Sequence, residues 1–294
     1  MLARILGSKP FAILIVTLAI AILWYAGAIW MNADLQRDAF DSAEQTDYTT
    51  SDFITGTLNL DRPKLPAPHQ ILQELDKTVL ETDPASKRSL IYHGTVTLQE
   101  TLLGFAIGSL LGMLLAVLIV HGQSLDRSVL PWIVASQTIP IIALAPMIVV
   151  IFNQFGITGV LPKAAISAYL SFFPVTVGMV KGLRSPDPLQ LDLMRTYSAS
   201  KFQTLLKLRF PSAVPFLFAS LKVAVAASLV GAVVAEVTKS EDGGLGARLL
   251  AGSYYGQTIQ IWAALFAAAF CACVLVGLVG LLDRLVARRM GYSR

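Results

Sequence analysis

The side chains that could do chemistry in this 294-residue chain are few and scattered. His69, His93 and His121 lie far apart, with no serine, cysteine or carboxylate spaced to make a nucleophile and its base, so no catalytic set emerges and the histidines receive no chemical role. Cys271 and Cys273 sit inside an apolar run without a Cys or His partner at metal-ligand spacing; they read as buried packing residues, and no metal site is expected. Charges within apolar runs are the sharper signal, because an ionised group in hydrocarbon needs a function or a partner. Glu236 is the acid most nearly inside such a run. Its neighbours Thr238, Lys239 and Ser240 favour an interfacial or paired carboxylate, with a place on a transport path as the alternative. Glu100 reads the same way, and Lys222 has a stem long enough to snorkel. Ser136, Gln137 and Thr138 offer uncharged hydrogen-bonding groups beside Pro140 and Pro146, and Phe173-Pro174 interrupts a later run. These residues are candidates for lining a translocation path or for holding helices together.

The elements that must position them are helices in a bilayer. Hydrophobic residues make up 55% of the chain and charged residues 14%, and the mean hydropathy is +0.64. Such a balance belongs to a membrane protein rather than a soluble domain. Apolar runs at 11–31, 95–120, 130–152, 164–180, about 214–237 and about 259–282 are each long enough to cross. The expected fold is therefore all-α and integral to the membrane, with about six transmembrane helices. The run at 11–31 follows Arg4 and Lys9 and also has a signal-peptide reading, with Ala26-Gly27-Ala28 as a cleavage site, but its length favours an uncleaved first span. Gly104, Gly108 and Gly112 recur every four residues, a stripe for close helix packing. Pro140, Pro146 and Pro174 each remove a backbone hydrogen bond within a span, which marks either a broken helix along a path or a static kink.

Net charge is +4, yet no basic stripe with interleaved aromatics points to nucleic acid. Thirteen of the 23 basic residues, from Arg4 and Lys9 to Arg294, fall in segments that would share one side, so both termini are expected in the cytoplasm. The organisation is then a cytoplasmic N-terminus and first span at 1–31, an extracytoplasmic segment at 32–94, and a five-helix core at 95–294. The segment 32–94 carries 11 acidic and 6 basic residues and a Pro-rich stretch before a short amphipathic helix around Ile71, Leu72, Leu75 and Val79. It holds too few apolar residues to bury an independent core.

The longest loop on the expected cytoplasmic side, 181–211, is polar yet helical in pattern. Leu193, Thr196 and Tyr197 share one face and Phe202, Leu205 and Leu206 another, with Ser198, Ala199 and Ser200 as the turn. Two short helices so joined would stand out as a knob.

This loop resembles the EAA loop of permeases of ATP-binding-cassette (ABC) importers. In that pattern Glu-Ala-Ala is followed by Gly at the seventh position and Pro at the twentieth; here Asp192 stands first, Ser198 seventh, Leu208 seventeenth and Pro211 twentieth. Asp replaces Glu, Leu193-Met194 replaces Ala-Ala and Ser198 replaces the turn glycine, so the turn is expected to avoid a large positive φ. Gln137-Thr138-Ile139-Pro140, Phe172-Phe173-Pro174, Leu183-Arg184-Ser185, Val234-Ala235-Glu236 and Gly244-Leu245-Gly246, in this order, resemble the branch carrying nitrate, sulfonates, taurine and thiamine or riboflavin precursors.

The resemblance implies the type I importer-permease fold in the bacterial inner membrane and a homodimer forming the path. It further implies ABC ATPase subunits that hold ATP and Mg, and an extracytoplasmic solute-binding protein. It assigns ATPase contact to Asp192, Arg195, Thr196, Tyr197, Ser198, Ala199, Ser200, Lys201, Phe202 and Pro211. No cofactor is expected on this chain, which lacks a Gly-x-x-x-x-Gly-Lys-Ser/Thr phosphate loop. A heterocycle such as a thiamine-precursor pyrimidine or riboflavin is the favoured cargo, with sulfonate, taurine or nitrate as the alternative. An ion-coupled secondary transporter would want internal repeats or an intramembrane ion relay, and a membrane enzyme a clustered active site.

Overall fold

The computed structural model describes residues 9–44 and 47–291. Arg4 and Arg294, used in the charge argument, and the side chain of Lys9 lie outside the described residues. Every described element is helical. In chain order they are α1 (Lys9–Ser42), α2 (Thr50–Leu58), α3 (Pro68–Asp76), α4 (Leu90–His121), α5 (Gln123–Ser136), α6 (Ile141–Gln154), α7 (Val160–Leu183), α8 (Pro188–Thr196), α9 (Lys201–Thr238), α10 (Leu245–Tyr254) and α11 (Thr258–Arg289). A widened turn at Lys77–Glu81 extends α3. Five helices, α1, α4, α7, α9 and α11, are long and apolar enough to cross a membrane, or six spans if α5 and α6 count as one.

The expected continuous span at 130–152 is instead a broken pair, α5 and α6, bent by 102°. Pro140 supplies the reason: it has no N–H for the preceding turn and disfavours helical backbone at Ile139. The helix ends at Ser136, and Pro140 takes extended geometry as the residue capping α6. Proline has the opposite outcome in α9, which runs through Pro211 without a break. The turn Leu205–Arg209 just before it widens to a π-type turn, giving the ring room.

The chain divides into two compact units. The first comprises Met1–Ile91 and Arg248–Phe266. Here α1 continues well past residue 31, and buried Asn32 ties the polar segment to it. The Asn32 amide donates to the carbonyls of Thr57 (3.2 Å) and Leu65 (2.9 Å), while its oxygen accepts from the amides of Lys64 (2.9 Å) and Leu65 (3.2 Å). Trp24 donates to the Pro66 carbonyl and packs its ring 4.9 Å from that of Trp262. The short helix expected after the prolines is α3, although Leu72 points outward while Ile71 is buried.

The second unit comprises Tyr92–Ala247 and Ala267–Arg294. Its centre is α4, α7 and α9 packed at small residues. The glycine stripe of α4 meets α7: a Cβ on Gly108 would collide with Ser171 Oγ and come within 2.7 Å of the Ala168 carbonyl oxygen. Antiparallel α7 and α9 interlock in the same manner, with a Cβ on Gly182 falling 2.9 Å from Ala213 Cα and one on Gly231 2.8 Å from Ser167 Cα. Ala116, Ile119, Ile133, Met179, Val180, Leu183 and Ala213 form one buried cluster, and Ala145, Val149, Ile166 and Ala235 another.

One expectation is corrected on α11. Cys271 is only half-buried and Cys273 is exposed, on a stretch of α11 where the neighbouring Phe270 and Val274 are exposed as well. Lys222 is paired, its Nζ 2.7 Å from Asp283 Oδ2.

Candidate functional site

The loop that the sequence marks for ATPase contact is built to stand alone. Asp187 caps α8 by accepting the Leu189 amide at 2.8 Å, with Pro188 at the first helical position, where its missing N–H costs nothing. Ser200 caps α9: its hydroxyl accepts from the Gln203 amide at 3.2 Å, and the Gln203 side chain accepts from the Ser200 amide at 2.9 Å.

Between the caps, the turn corrects an expectation. Ser198 adopts φ +52°, the left-handed geometry its serine was expected to avoid. The physical reason is the hydrogen bonding of the chain end. The Ser198 amide donates to Arg195 O (2.8 Å) and the Ala199 amide to Met194 O (2.9 Å), a Schellman arrangement that satisfies the last carbonyls of α8 and requires a left-handed residue at this place. A short polar side chain tolerates that geometry at a modest cost.

The structure brings Asp192, Arg195, Thr196, Tyr197, Ser198, Ala199, Ser200, Lys201 and Phe202 onto one protrusion, with no residue of α8 or of the first turn of α9 buried. Its apolar side chains face outward: Leu193 is 55%, Tyr197 76% and Phe202 67% exposed. The Asp192–Arg195 pair at 2.8 Å is exposed and adds little stability. Pro211 sits apart, within α9. The base of the protrusion is fixed by Arg209, which donates to the Leu183 carbonyl at 2.8 Å, and by Arg184, paired with Asp126 at 2.8 Å. Behind the protrusion is a hollow of about 310 Å³ lined in part by His121, Arg195, Lys201 and Arg209, a setting for acidic groups.

Of the path candidates, Ser136, Gln137, Thr138 and Pro140 lie together at the α5–α6 break. Ser136 and Thr138 hydroxyls donate back to Ile133 O and Ala135 O, each at 2.7 Å, and Gln137 donates to Ser136 Oγ at 3.3 Å. Tyr169 of α7 donates its hydroxyl to the Ser136 carbonyl. Phe173 lies one turn along α7 from Tyr169, followed by Pro174, and both are half-buried. Pro146 is exposed on α6.

Glu236 is not with them. It is completely buried near the end of α9, in a network that sequence reasoning did not assemble. Its Oε1 accepts the Thr97 hydroxyl at 2.6 Å, and its Oε2 accepts the Gly246 amide at 2.6 Å. Thr97 Oγ1 in turn accepts the Leu245 amide at 2.9 Å, and His93 Nδ1 accepts the Gly244 amide at 3.0 Å. Three side chains from α4 and α9 thereby satisfy the free amides that open α10, and the carboxylate sits where a helix N-terminus favours negative charge. Gly244 has φ +112°, and a Cβ there would meet the Glu236 carboxylate.

Beside this cap lies Lys163, in the first turn of α7 with no solvent access. Its Nζ is 3.0 Å from Glu100 Oε1 and 3.4 Å from Asp242 Oδ2. Glu100 is 1% exposed, whereas Asp242 is 42% exposed. Removing such charges from water costs several kcal/mol each, so they persist only in partnership. The missed signal was one of depth: Glu100, Lys163 and Glu236 all fall near the same-side ends of their apolar runs. Neither the protrusion nor the network presents a nucleophile with a base; the first can dock a partner and the second can hold helices in register.

Comparison with known proteins adds to this geometry. Residues 108–292 match the family described as binding-protein-dependent transport system inner membrane component. A probable ABC transporter permease of Haemophilus influenzae is 37% identical over 51% of this chain and 60% of its own length. A formylaminopyrimidine transport permease of Halalkalibacterium halodurans is 35% identical over 61% of this chain and 67% of its own. A riboflavin transport system permease of Chloroflexus aurantiacus is 30% identical over 67% and 71% respectively. The chain thus spans three-fifths of the Haemophilus relative and about two-thirds of the next.

Proposed function

Because this chain belongs to the family of binding-protein-dependent transport system inner membrane components, we propose that it is the membrane-spanning permease subunit of an ATP-driven importer, docking its ATPase through the α8–α9 protrusion. The observation that carries this reading is the protrusion itself: two self-capped helix ends present Leu193, Tyr197 and Phe202 to solvent with no covering partner among the described residues. Exposed apolar groups of this kind suit burial in a groove of another protein, and the basic hollow behind them suits its acidic residues. The ATPase subunits hold ATP and Mg; this chain hydrolyses nothing.

In this reading two copies of the chain form the path, a solute-binding protein delivers cargo from outside, and both termini lie in the cytoplasm. Lys181, Arg184, Arg195, Lys201, Lys207 and Arg209 cluster at the loop end, as the bias of basic residues toward the cytoplasmic side requires. Closure of the ATPase pair pushes the protrusion and rocks α7 and α9, a rigid-body change between two packed arrangements. The α5–α6 break, with Tyr169, Phe172 and Phe173 alongside, offers uncharged and aromatic surface to the path. That surface suits a heterocycle such as a thiamine-precursor pyrimidine or riboflavin, in line with the names of two relatives.

Reconstitution into proteoliposomes with the ATPase and binding protein tests this. Uptake is expected to require ATP and to vanish, with insertion intact, when residues 198–201 are replaced. Uptake that ignores nucleotide and follows a proton or sodium gradient would overturn the reading in favour of a secondary transporter. A preference of the binding protein for sulfonate, taurine or nitrate over heterocycles would overturn only the cargo.

A further inference from the structure

Buried Lys163, held between Glu100 and Asp242 beside the Glu236 cap of α10, has no part in the transport reading so far. The cluster lies at the ends of α7 and α9 remote from the protrusion, and these are the two helices that the loop joins. Twenty residues of α7 separate Lys163 from Leu183, about 30 Å of helix at 1.5 Å per residue. Docking surface and ion network are opposite ends of one lever. The lever is stiff, because α7 and α9 meet backbone to backbone at Gly182 and Gly231 with no long side chains between to absorb a displacement.

The members of the network are attached differently. Glu100, Lys163 and Glu236 ride on the long helices α4, α7 and α9. Asp242 rides on the connection 239–244, which contains Gly243 at φ +87° and Gly244 at φ +112°. Its 3.4 Å contact is longer than the 3.0 Å contact of Lys163 with Glu100, and it alone among the four is substantially exposed. Release of Asp242 therefore loosens residues 239–243, with Gly244 still held by His93, while Lys163 keeps Glu100, so no buried ammonium is stranded.

We propose that the Lys163–Asp242 pair is a latch that closes the end of the permease opposite the ATPase loop, opened when the α7–α9 lever moves. Lys163 is then a positioning residue for transport. It holds residues 239–243 against α4 and α7 in one state and lets them go in the other, while Glu100 stays bound to it in both. The proposal rests on the ATPase-coupling reading above.

The test uses the full complex in proteoliposomes. D242N is expected to raise ATP hydrolysis in the absence of binding protein by about threefold, the shift that losing a half-exposed ion pair makes in a two-state equilibrium, and to lower uptake per ATP. D242E should behave as the unaltered chain. Nitroxide labels on T95C and E241C, in a chain also carrying C271A and C273A, should separate on adding ATP with vanadate, and this readout leaves the network native should D242N fail to assemble. A label distance that ignores nucleotide overturns the latch, as does a D242N complex with unchanged basal hydrolysis. Replacement of residues 198–201 separates the two readings. If it leaves ATPase binding intact, the coupling reading fails; if it abolishes binding while the labels stay fixed with nucleotide in the native-loop complex, the latch alone fails.

Discussion

At one end of the α7–α9 pair, Leu193, Tyr197 and Phe202 stand in solvent on short helices that satisfy their own backbone ends. At the other end, Glu100, Lys163 and Glu236 have essentially no contact with solvent; Lys163 is ion-paired with Glu100, and Glu236 caps the opening turn of α10. Each end reverses the usual placement of residue types. Exposed apolar groups gain by being covered from outside, whereas buried charges lose everything if one partner is removed. The first end is thus open toward another molecule and the second is closed upon itself. Substitutions at the two ends should fail in different ways, one in assembly and the other in folding.

The largest effect is expected from K163M alone, which strands Glu100. Breaking a buried pair costs about 3–5 kcal/mol, read as a lowered unfolding temperature in detergent, and K163M/E100Q should recover most of it. A K163M chain as stable as the unaltered one would erase the contrast between the ends. Next comes G108L, where the Ala168 carbonyl leaves no room beside α4; overpacking of about 1–3 kcal/mol is expected. Gly94 faces open space, so G94A should be neutral or slightly stabilising by the same measurement. At the open end the stakes fall. S198V should loosen the turn by about 1–2 kcal/mol, since a β-branched residue resists left-handed geometry. S198G should tighten it, read as slower amide exchange at positions 198 and 199, with global stability unchanged for both.

The smallest effect belongs to an exposed cap elsewhere. The hydroxyl and amide of Thr49 hydrogen-bond the Asp52 carboxylate and hold its pKa below the ordinary value. The folded form binds that proton more weakly than the unfolded chain. The contribution to α2 is therefore present above about pH 4 and lost as pH falls further. Protection of the Asp52 amide against exchange, relative to the unfolded chain at the same pH, should fall in that window, and D52N should remove the pH dependence.

Legibility follows the same divide. The protrusion is readable because its logic is local: alternating faces, a small-residue turn and proline at a fixed spacing all lie within twenty consecutive residues, 192–211. The geometry of Ser198 is not, because the demand for a left-handed residue comes from the orphan carbonyls of α8, which outweigh the preference of serine. The glycine stripe of α4 is legible as packing for the same local reason as the protrusion. The ion network is hidden, since Thr97, Glu100, Lys163, Glu236 and Asp242 come from three spans and a connection, and only tertiary packing brings them together. The break at Pro140 is half legible: proline announces an interruption, but its 102° angle depends on what α5 and α6 pack against.

The self-capping of the protrusion has a consequence for how such a chain changes partners. Asp187 and Gln190 close one helix, Ser200 and Gln203 the next, and neither cap borrows a group from the body of the protein. Arg209 and Arg184 bolt the piece to its mount. The segment is therefore portable: in the docking role proposed for it, exchange for the corresponding stretch of another permease, with those two bolts left in place, should redirect the chain to a different motor while its cargo specificity stays where it was.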